Sequence, residues 1–136
     1  MFSALRGEDK EKRGYIETMI IMSFADGELE DDEISELVDR ARTHEKMRDM
    51  GHSEFMRLIK RSLTAMDKQG LEKRVEEVCK LLTTHEMRLN GLDLAVSVAM
   101  ADGELEPAEA RILERMTQLM GVKESDVQAI VARHAS

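Results

Sequence analysis

Apolar residues recur along the chain at the spacing of helix faces, and they predict a succession of amphipathic helices. From about Gly14 to Ala25 the apolar side chains cover most of the circumference, which predicts a largely buried helix that ends at Gly27. The next helix is predicted from about Glu30 to Thr43, with an apolar face of four residues: Ile34, Leu37, Val38 and Ala41. Residues 1–13 are charged and weakly periodic, so we predict a short helix or a loose lead-in there.

The rest of the chain continues the helical pattern. Residues 44–51 predict a turn or a short helix that ends at Gly51, and Ser53 is a suitable N-cap for a helix that stops at Gly70. Another helix is predicted from Leu71 to about Met87, and the dipeptide Asn90-Gly91 predicts a break after it. The last helices are predicted over residues 92–101, 107–120 and from about 124. No stretch alternates with period two, so the predicted fold class is all-α.

The segment ADGELE occurs twice, at residues 25–30 and 101–106, and divides the chain into two similar halves. At an offset of 76, eight of the 13 residues in 25–37 are identical in 101–113, whereas unrelated segments would share about one. Upstream of the identical part the residue type is also kept, as in Glu17 and Asp93. Each copy, about residues 14–43 and 90–120, is therefore interpreted as a hydrophobic helix, a tight acidic turn and an amphipathic helix.

The composition narrows the class of protein further. A length of 136 residues fits one domain, which we expect over residues 1–136. Apolar residues make up 42% but aromatic residues only 3%, and there are eleven methionines, so we expect an aliphatic, methionine-rich core. The one cysteine, Cys79, excludes an internal disulfide, and we interpret it as a small core residue in a reducing compartment. The N-terminus has no signal-peptide pattern and every apolar run is shorter than the ~20 residues that cross a bilayer, so we expect a cytoplasmic protein.

Charge is distributed unevenly along the chain. The net charge of −8 argues against nucleic-acid binding. Residues 25–39 hold eight acids and no base, whereas residues 40–74 hold ten bases and five acids. Two interpretations stay open: ordinary solvated helix faces, or an interaction surface with two sides. The basic side would include four residues of the middle segment: Arg57, Lys60, Arg61 and Lys68.

The two acidic turns have part of the pattern of a calcium-binding EF-hand loop. Residues 26–33 and 102–109 place an aspartate, a glycine, an apolar residue and a final glutamate at the intervals of its second part. The first and third ligand positions would be Met22 and Phe24 in one copy and Val98 and Met100 in the other. These side chains do not bind a hard cation, so a standard EF-hand is excluded. A partial site completed by water or by other carboxylates stays open.

A purely structural interpretation explains most of the same residues. Pro107 suits the first position of a helix, which makes Glu106 the N-cap and Glu109 the third residue of a capping box. By alignment, Glu30 and Glu33 do the same in the first copy. We also expect the two aspartates to fold back as Asx turns. A second carboxylate at Glu28 and Glu104 is left unexplained, so we keep six candidate ligands for Ca²⁺ or Mg²⁺: Asp26, Glu28, Glu33, Asp102, Glu104 and Glu109.

No catalytic pattern accompanies these turns. The four histidines lack the spacing of a transition-metal site, and no phosphate-binding glycine loop or nucleophile elbow is present. Because no nucleophile is paired with a base, we do not expect an enzyme.

The duplicated turn is similar to that of a known family. A buried helix, the residues ADGE, an apolar residue and a glutamate six positions after the glycine resemble the TerB-like family of bacterial tellurite-resistance proteins, and Ala25–Glu33 and Ala101–Glu109 both match. The resemblance implies a compact bundle of about seven helices with an internal pseudo-two-fold repeat. It also implies a role in resistance to tellurite and related stresses, with partners in the same resistance system, some of them membrane-associated or calcium-binding. Any link to a membrane would then go through a partner.

Two hypotheses of function follow. In the first, the chain is a stress-response module whose paired acidic turns bind Ca²⁺ or Mg²⁺. In the second, it is an interaction scaffold that uses the acidic turns and the basic middle segment without a metal.

Overall fold

The computed structural model describes residues 2–27 and 29–135, without the side chains of residues 2–9 and of Asp26. The described residues form seven α-helices and no strand, which confirms the predicted all-α class and the expected number of helices. The helices are α1 (Phe2–Ser23), α2 (Asp31–Arg42), α3 (His52–Gln69), α4 (Leu71–Leu81), α5 (His85–Ala99), α6 (Pro107–Met120) and α7 (Glu124–His134). One short 3-10 turn, Phe24–Asp26, follows α1 directly.

Helices α1 and α5 form the centre of the molecule. They pack against each other, and α3 and α4 cover α1 while α6 and α7 cover α5. Both central helices are buried around much of their circumference, which their nearly continuous apolar sequences require: Tyr15, Ile16, Met19, Ile20, Leu92, Ala95 and Val96 are fully buried. Because an ADGE turn follows each of them, both acidic turns leave the core from the ends of its most buried helices.

Leu82, the residue after α4, is fully buried between the two central helices. A Cβ atom on Gly14 of α1 would lie 2.5 Å from Leu82 Cδ2, and one on Gly91 of α5 would lie 2.5 Å from Leu82 Cδ1. A side chain at either position would therefore require Leu82 to shift. The predicted break at Asn90-Gly91 is therefore wrong: both residues lie inside α5, and Gly91 serves close packing instead of a turn.

Three other predicted boundaries are also wrong. The charged residues before Gly14 belong to α1, which is continuous from Phe2. Helix α4 ends at Leu81, and the next helix begins at His85 because Thr84 caps it, with Thr84 Oγ1 accepting from the Met87 N–H at 3.1 Å. The N-cap of α3 is Gly51, so Ser53 lies within the helix and does not cap it.

Two acidic residues at equivalent positions of the repeat hold outer helices to the core. Glu17 of α1 is 2% exposed and accepts two hydrogen bonds of 2.6 Å from the guanidinium group of Arg74 on α4. Arg74 also donates to Gln69 Oε1 at 2.7 Å, and its hydrogen bonds to Glu17 raise its pKa. Since both charges are paired and hydrogen-bonded, the pair is tolerated in the interior and fixes α4 against α1.

Asp93 of α5 holds the C-terminal end of α7. Its Oδ1 lies 2.8 Å from His134 Nε2 and 3.2 Å from an Arg133 guanidinium nitrogen, and its Oδ2 lies 3.5 Å from His44 Nε2. The hydrogen bond with His44, followed by those with His134 and Arg133, lowers the pKa of Asp93 to about 2 against the opposing effect of burial. The Nδ1 atom of His44 accepts from the Lys46 N–H at 3.2 Å, which leaves its Nε2 to donate to Asp93.

The core is aliphatic and rich in methionine, as the composition predicted. The buried methionines are Met19, Met22, Met47, Met50, Met66, Met100, Met116 and Met120. Cys79 is also buried, and burial raises the pKa of its thiol to about 11. None of the helices within residues 2–27 and 29–135 is both long and apolar enough to cross a membrane.

Candidate functional site

The first acidic turn begins where α1 tightens into the 3-10 turn. Gly27 takes a positive φ of 102°, and its N–H donates to the Phe24 carbonyl at 2.8 Å. At the start of α2 the Glu30 N–H donates to Glu33 Oε1 at 3.0 Å, which is the contact of a capping box. The predicted roles of Glu30 and Glu33 at this helix start are confirmed.

The second acidic turn repeats this geometry. Gly103 has a φ of 92°, and its N–H donates to the Met100 carbonyl at 2.9 Å. The Glu104 N–H donates to Asp102 Oδ1 at 3.2 Å, which is the predicted Asx turn. The Glu106 N–H donates to Glu109 Oε1 at 2.9 Å, ahead of a proline at the first position of α6. The sequence repeat therefore has a matching local geometry, while the two-fold relation between whole halves stays a prediction.

The two turns meet at one small cavity of about 130 Å³. Glu33 and Glu109, from the two halves of the chain, both line it, and Glu36 adds a third carboxylate one turn further along α2. Arg40 also lines the cavity, so a cation there would share the space with a guanidinium group. The remaining wall comes from the end of α1, from Leu37 of α2, from α5 and from the residue that begins the second turn: Met22, Ser23, Leu37, Val98 and Ala101. The structure thus brings two of the six candidate ligands to the same place.

The sequence analysis did not single out Glu36 as a candidate. The available signal was its spacing: it follows Glu33 by three residues, which places both on one side of α2. That spacing alone does not predict that Glu36 lies near Glu109 in the second half of the chain. The contact arises because α2 packs against α5 and α6 packs against the 3-10 turn after α1, so each turn lies beside the other copy.

The other candidate ligands are not brought to this cavity by the described atoms. Asp102 and Glu104 are exposed on the second turn. The side chain of Asp26 and the whole of Glu28 lie outside the described residues. Among the side chains that are described, no three of histidine, cysteine, aspartate or glutamate form a group that could hold a metal ion. The described candidate ligands therefore do not by themselves form a metal site.

Glu104 is not explained by an ion pair. Within the described part of the chain, no lysine or arginine is paired with it. Its backbone N–H is used by the Asx turn, but its carboxylate has no role in the helix start that follows. The carboxylate that the structural interpretation left unexplained is still unexplained by the fold.

A second charged feature lies on α3. Four exposed cations of this helix, which we call the basic stripe, line an open groove of about 470 Å³: Arg57, Lys60, Arg61 and Lys68. Thr64 and Ala65 lie between them, and Gln69 and Arg74 complete the wall. The basic residues of the middle segment therefore share one helix face, as their spacing of three, four and seven residues requires.

Comparisons with known proteins place the chain in a family. No curated protein and no solved structure matches it. A family model described as "Tellurite resistance protein TerB" matches residues 34–132, well over half of the chain. The match starts within α2, so it includes the second acidic turn and the basic stripe but not the first turn. The chain belongs to the TerB family of tellurite-resistance proteins.

Proposed function

We propose that this chain is a non-enzymatic tellurite- and stress-resistance module of the cytoplasm whose two acidic turns together bind a divalent cation, Ca²⁺ or Mg²⁺. The observation that supports the proposal is the shared cavity, where Glu33 and Glu109 from opposite halves of the chain lie together with Glu36. The three carboxylates outnumber the single guanidinium group of Arg40 at this cavity, and a divalent cation would balance the remaining negative charge.

The chemistry of these residues suits a hard cation. Both Ca²⁺ and Mg²⁺ prefer oxygen ligands, and Mg²⁺ in particular keeps several waters when only one or two carboxylates bind it. Glu33 uses one carboxylate oxygen for the cap and has a second one to offer a cation, and Glu109 lines the same cavity. We propose that the remaining ligands come from water and from the other four candidates: Asp26, Glu28, Asp102 and Glu104.

A titration of the metal-free protein with Ca²⁺ or Mg²⁺ tests this proposal. We expect the backbone amide signals of Gly27 and Gly103 to move together, because one ion would contact both turns. Saturating metal at about a hundred times the dissociation constant should raise the free energy of unfolding by about 2.7 kcal/mol. If neither amide signal moves up to several millimolar metal, the cation proposal is wrong.

A matched pair of variants separates the site from the general negative charge. In Glu33→Gln with Glu109→Gln, the amide oxygens can still accept the capping hydrogen bonds while two charges at the cavity are lost. We expect the amide signals of Gly27 and Gly103 in this variant to stay in place when metal is added. Glu45→Gln with Glu114→Gln removes the same charge from exposed positions elsewhere and should keep it.

The non-enzymatic part of the proposal is supported by the state of the most nucleophilic side chain. Cys79 is buried and its thiol pKa is raised to about 11, so the reactive thiolate is disfavoured. Its neighbouring charges, Arg88 and Arg115, lower that pKa less than burial raises it.

A second candidate function is an interaction scaffold, supported by the basic stripe along its groove. The partners would be other proteins of the resistance system, including membrane-associated ones. Pull-downs test this candidate with charge reversal at two places, Glu28 and Glu104 on the turns and Arg61 and Lys68 on the stripe. A list of captured proteins that is the same for all variants would count against it.

A further inference from the structure

Two exposed helix faces of this chain have opposite charges at the same spacing. On α2, Asp32, Glu36 and Asp39 follow one another at intervals of four and three residues, and we call them the acidic face. On α3, Arg57, Arg61, Thr64 and Lys68 follow at intervals of four, three and four, with Lys60 beside them. Residues at these intervals lie along one side of a helix, about one turn apart. When the two helices lie side by side, each acidic residue of α2 is therefore level with a charged or polar residue of α3.

Some of the other charges of the protein are paired within the molecule. Lys12 pairs with Glu54, Lys46 with Glu86 and Lys73 with Glu77, at distances of 3.5, 3.1 and 3.2 Å. Within residues 2–27 and 29–135, by contrast, no ion pair includes the three carboxylates of the acidic face. The same holds there for Lys60, Arg61 and Lys68 of the basic stripe.

The two faces do not neutralise each other inside one molecule. Helix α2 packs against α5, and α3 packs against α1 and α4, so both charged faces point to solvent. At the junction of α2 and α3 the contact is a cation–π interaction instead, with Arg42 located 5.5 Å from the ring centroid of Phe55. The three carboxylates of the acidic face and Lys60, Arg61 and Lys68 are therefore open to a charged surface of another molecule.

We infer that the acidic face of α2 docks along the basic stripe of α3 in a second copy of this chain. The inference rests on the second candidate function, because it names the partner of the same stripe. Two helices packed side by side lie 8–10 Å apart as a rule, and the groove beside α3 provides the space in which α2 would lie. The equal spacing aligns two of the three carboxylates with guanidinium or ammonium groups and the third with Thr64, and Arg61 can bind a carboxylate through two hydrogen bonds.

The chemistry of this contact determines its strength. Its charged residues are exposed and little apolar surface surrounds them, so the association is weak and depends strongly on salt. The net charge of −8 adds a general repulsion between copies, which salt also screens. The contact joins different surfaces of the two copies. It therefore produces either a reciprocal dimer or an open chain of molecules, and both use the same two faces.

Sedimentation velocity of the full chain tests the inference, with EDTA present so that cation binding at the turns does not contribute. At about 20 mM NaCl and several hundred micromolar protein, we expect the average mass to rise above the monomer mass of 15.5 kDa. At about 300 mM NaCl the mass should return to that of the monomer. Reversal of the stripe in Arg61→Glu with Lys68→Glu should lower the association constant at least about tenfold, and so should Glu36→Lys with Asp39→Lys.

Mixing the two reversed variants is the decisive experiment. In each variant one face has lost its complementary charge, so each associates weakly alone, but the mixture combines the intact acidic face of one variant with the intact basic stripe of the other and should regain association. Arg111→Glu with Lys123→Glu is the matched control, since it changes the net charge as much as the reversed stripe does, at exposed positions elsewhere. All exchanged side chains are exposed, and helix content by circular dichroism verifies that each variant is folded.

Three results would overturn the inference. The first is a wild-type chain that stays at the monomer mass in low salt at the highest concentration. The second is a reversed stripe that associates as strongly as the control, and the third is a mixture that stays monomeric. Pull-downs with proteins of the resistance system then still test the scaffold function by itself, because those partners need not have the acidic face of α2.

Discussion

At the scale of single residues, Leu82 is held more tightly than any pattern in the sequence suggests. Its two methyl groups face Gly14 on one side and Gly91 on the other, each at the distance where a Cβ would clash. A flexible side chain often relieves such a clash by moving away. Leu82 cannot do so, because a movement away from one glycine brings it against the helix of the other.

We therefore predict that Gly91→Ala destabilises the protein although alanine favours helices. Helix propensity alone would stabilise the variant by about 1 kcal/mol. The overpacking of a filled core costs about 1–3 kcal/mol and should outweigh it. Urea unfolding followed by circular dichroism gives the change in the free energy of unfolding. Gly51→Ala is the control, because a Cβ there meets nothing within 4 Å: its cost, about 1 kcal/mol for a weaker N-cap of α3, should not depend on Leu82.

A double-mutant cycle identifies the cause. Leu82→Ala alone should cost about 2–5 kcal/mol because it leaves a cavity. In that background the extra methyl group of Gly91→Ala has room, so the same exchange should become neutral or stabilising. If Gly91→Ala lowers the free energy of unfolding by the same amount with Leu82 and with alanine at position 82, the clash does not cause the loss of stability.

At the scale of elements, the last helix depends on one carboxylate of the core. Asp93 binds Arg133 and His134 at the C-terminal end of α7 and His44 on the segment after α2. Cations in the last turn of a helix also interact favourably with its dipole, so the contact stabilises α7 in two ways. The first copy has a comparable contact in Glu17 and Arg74, which holds α4.

The low pKa of Asp93 predicts how acid affects stability. The folded pKa of about 2 lies below the ordinary value of 3.8, so the unfolded state takes up a proton first as the pH falls. The contribution of Asp93 is therefore complete above about pH 4 and is lost as the pH falls towards 2. We predict that the difference in unfolding free energy between wild type and Asp93→Asn shrinks over this range. For Asp49→Asn, an exposed aspartate, the difference should stay constant.

Local chemistry explains which elements the sequence could predict. The capping contacts of Glu33 and Glu109 and the Asx turn of Asp102 lie within four residues of their partners, so spacing alone was sufficient. Gly91 was misinterpreted because its close contact with Leu82, from the segment between α4 and α5, arises only when that segment packs against α5. The common cavity of Glu33, Glu36 and Glu109 was beyond prediction for the same reason, since it depends on how α2 crosses α5.

At the scale of the whole molecule, the two halves share one core. Helix α1 of the first half packs on α5 of the second, and Leu82 from the segment between them lies between both. Neither half could bury its apolar residues without the other. This arrangement favours a single cooperative unit over residues 1–136, which stays a prediction.

Three probes of unfolding test that prediction. Far-ultraviolet circular dichroism follows all helices, the single Tyr15 reports on α1, and the reaction of Cys79 with a thiol reagent reports on α4. Both side chains are buried in the folded protein, so each becomes accessible only when its helix separates. We expect the same urea midpoint from all three. Cys79 reacting at clearly lower urea than the loss of helix would show that α4 separates first, and that the chain is not one unit.

The methionine-rich interior has a consequence for a protein of this family. Oxidation turns the thioether into a polar sulfoxide, which no longer fits among aliphatic side chains. Peroxide should reach Met56, which is 38% exposed, well before the buried Met19, Met47 and Met116. A molecule that unfolds locally in the presence of peroxide would acquire sulfoxides at these buried methionines and would not refold. The order in which the methionines oxidise therefore reports how often each part of the bundle opens in the presence of peroxide.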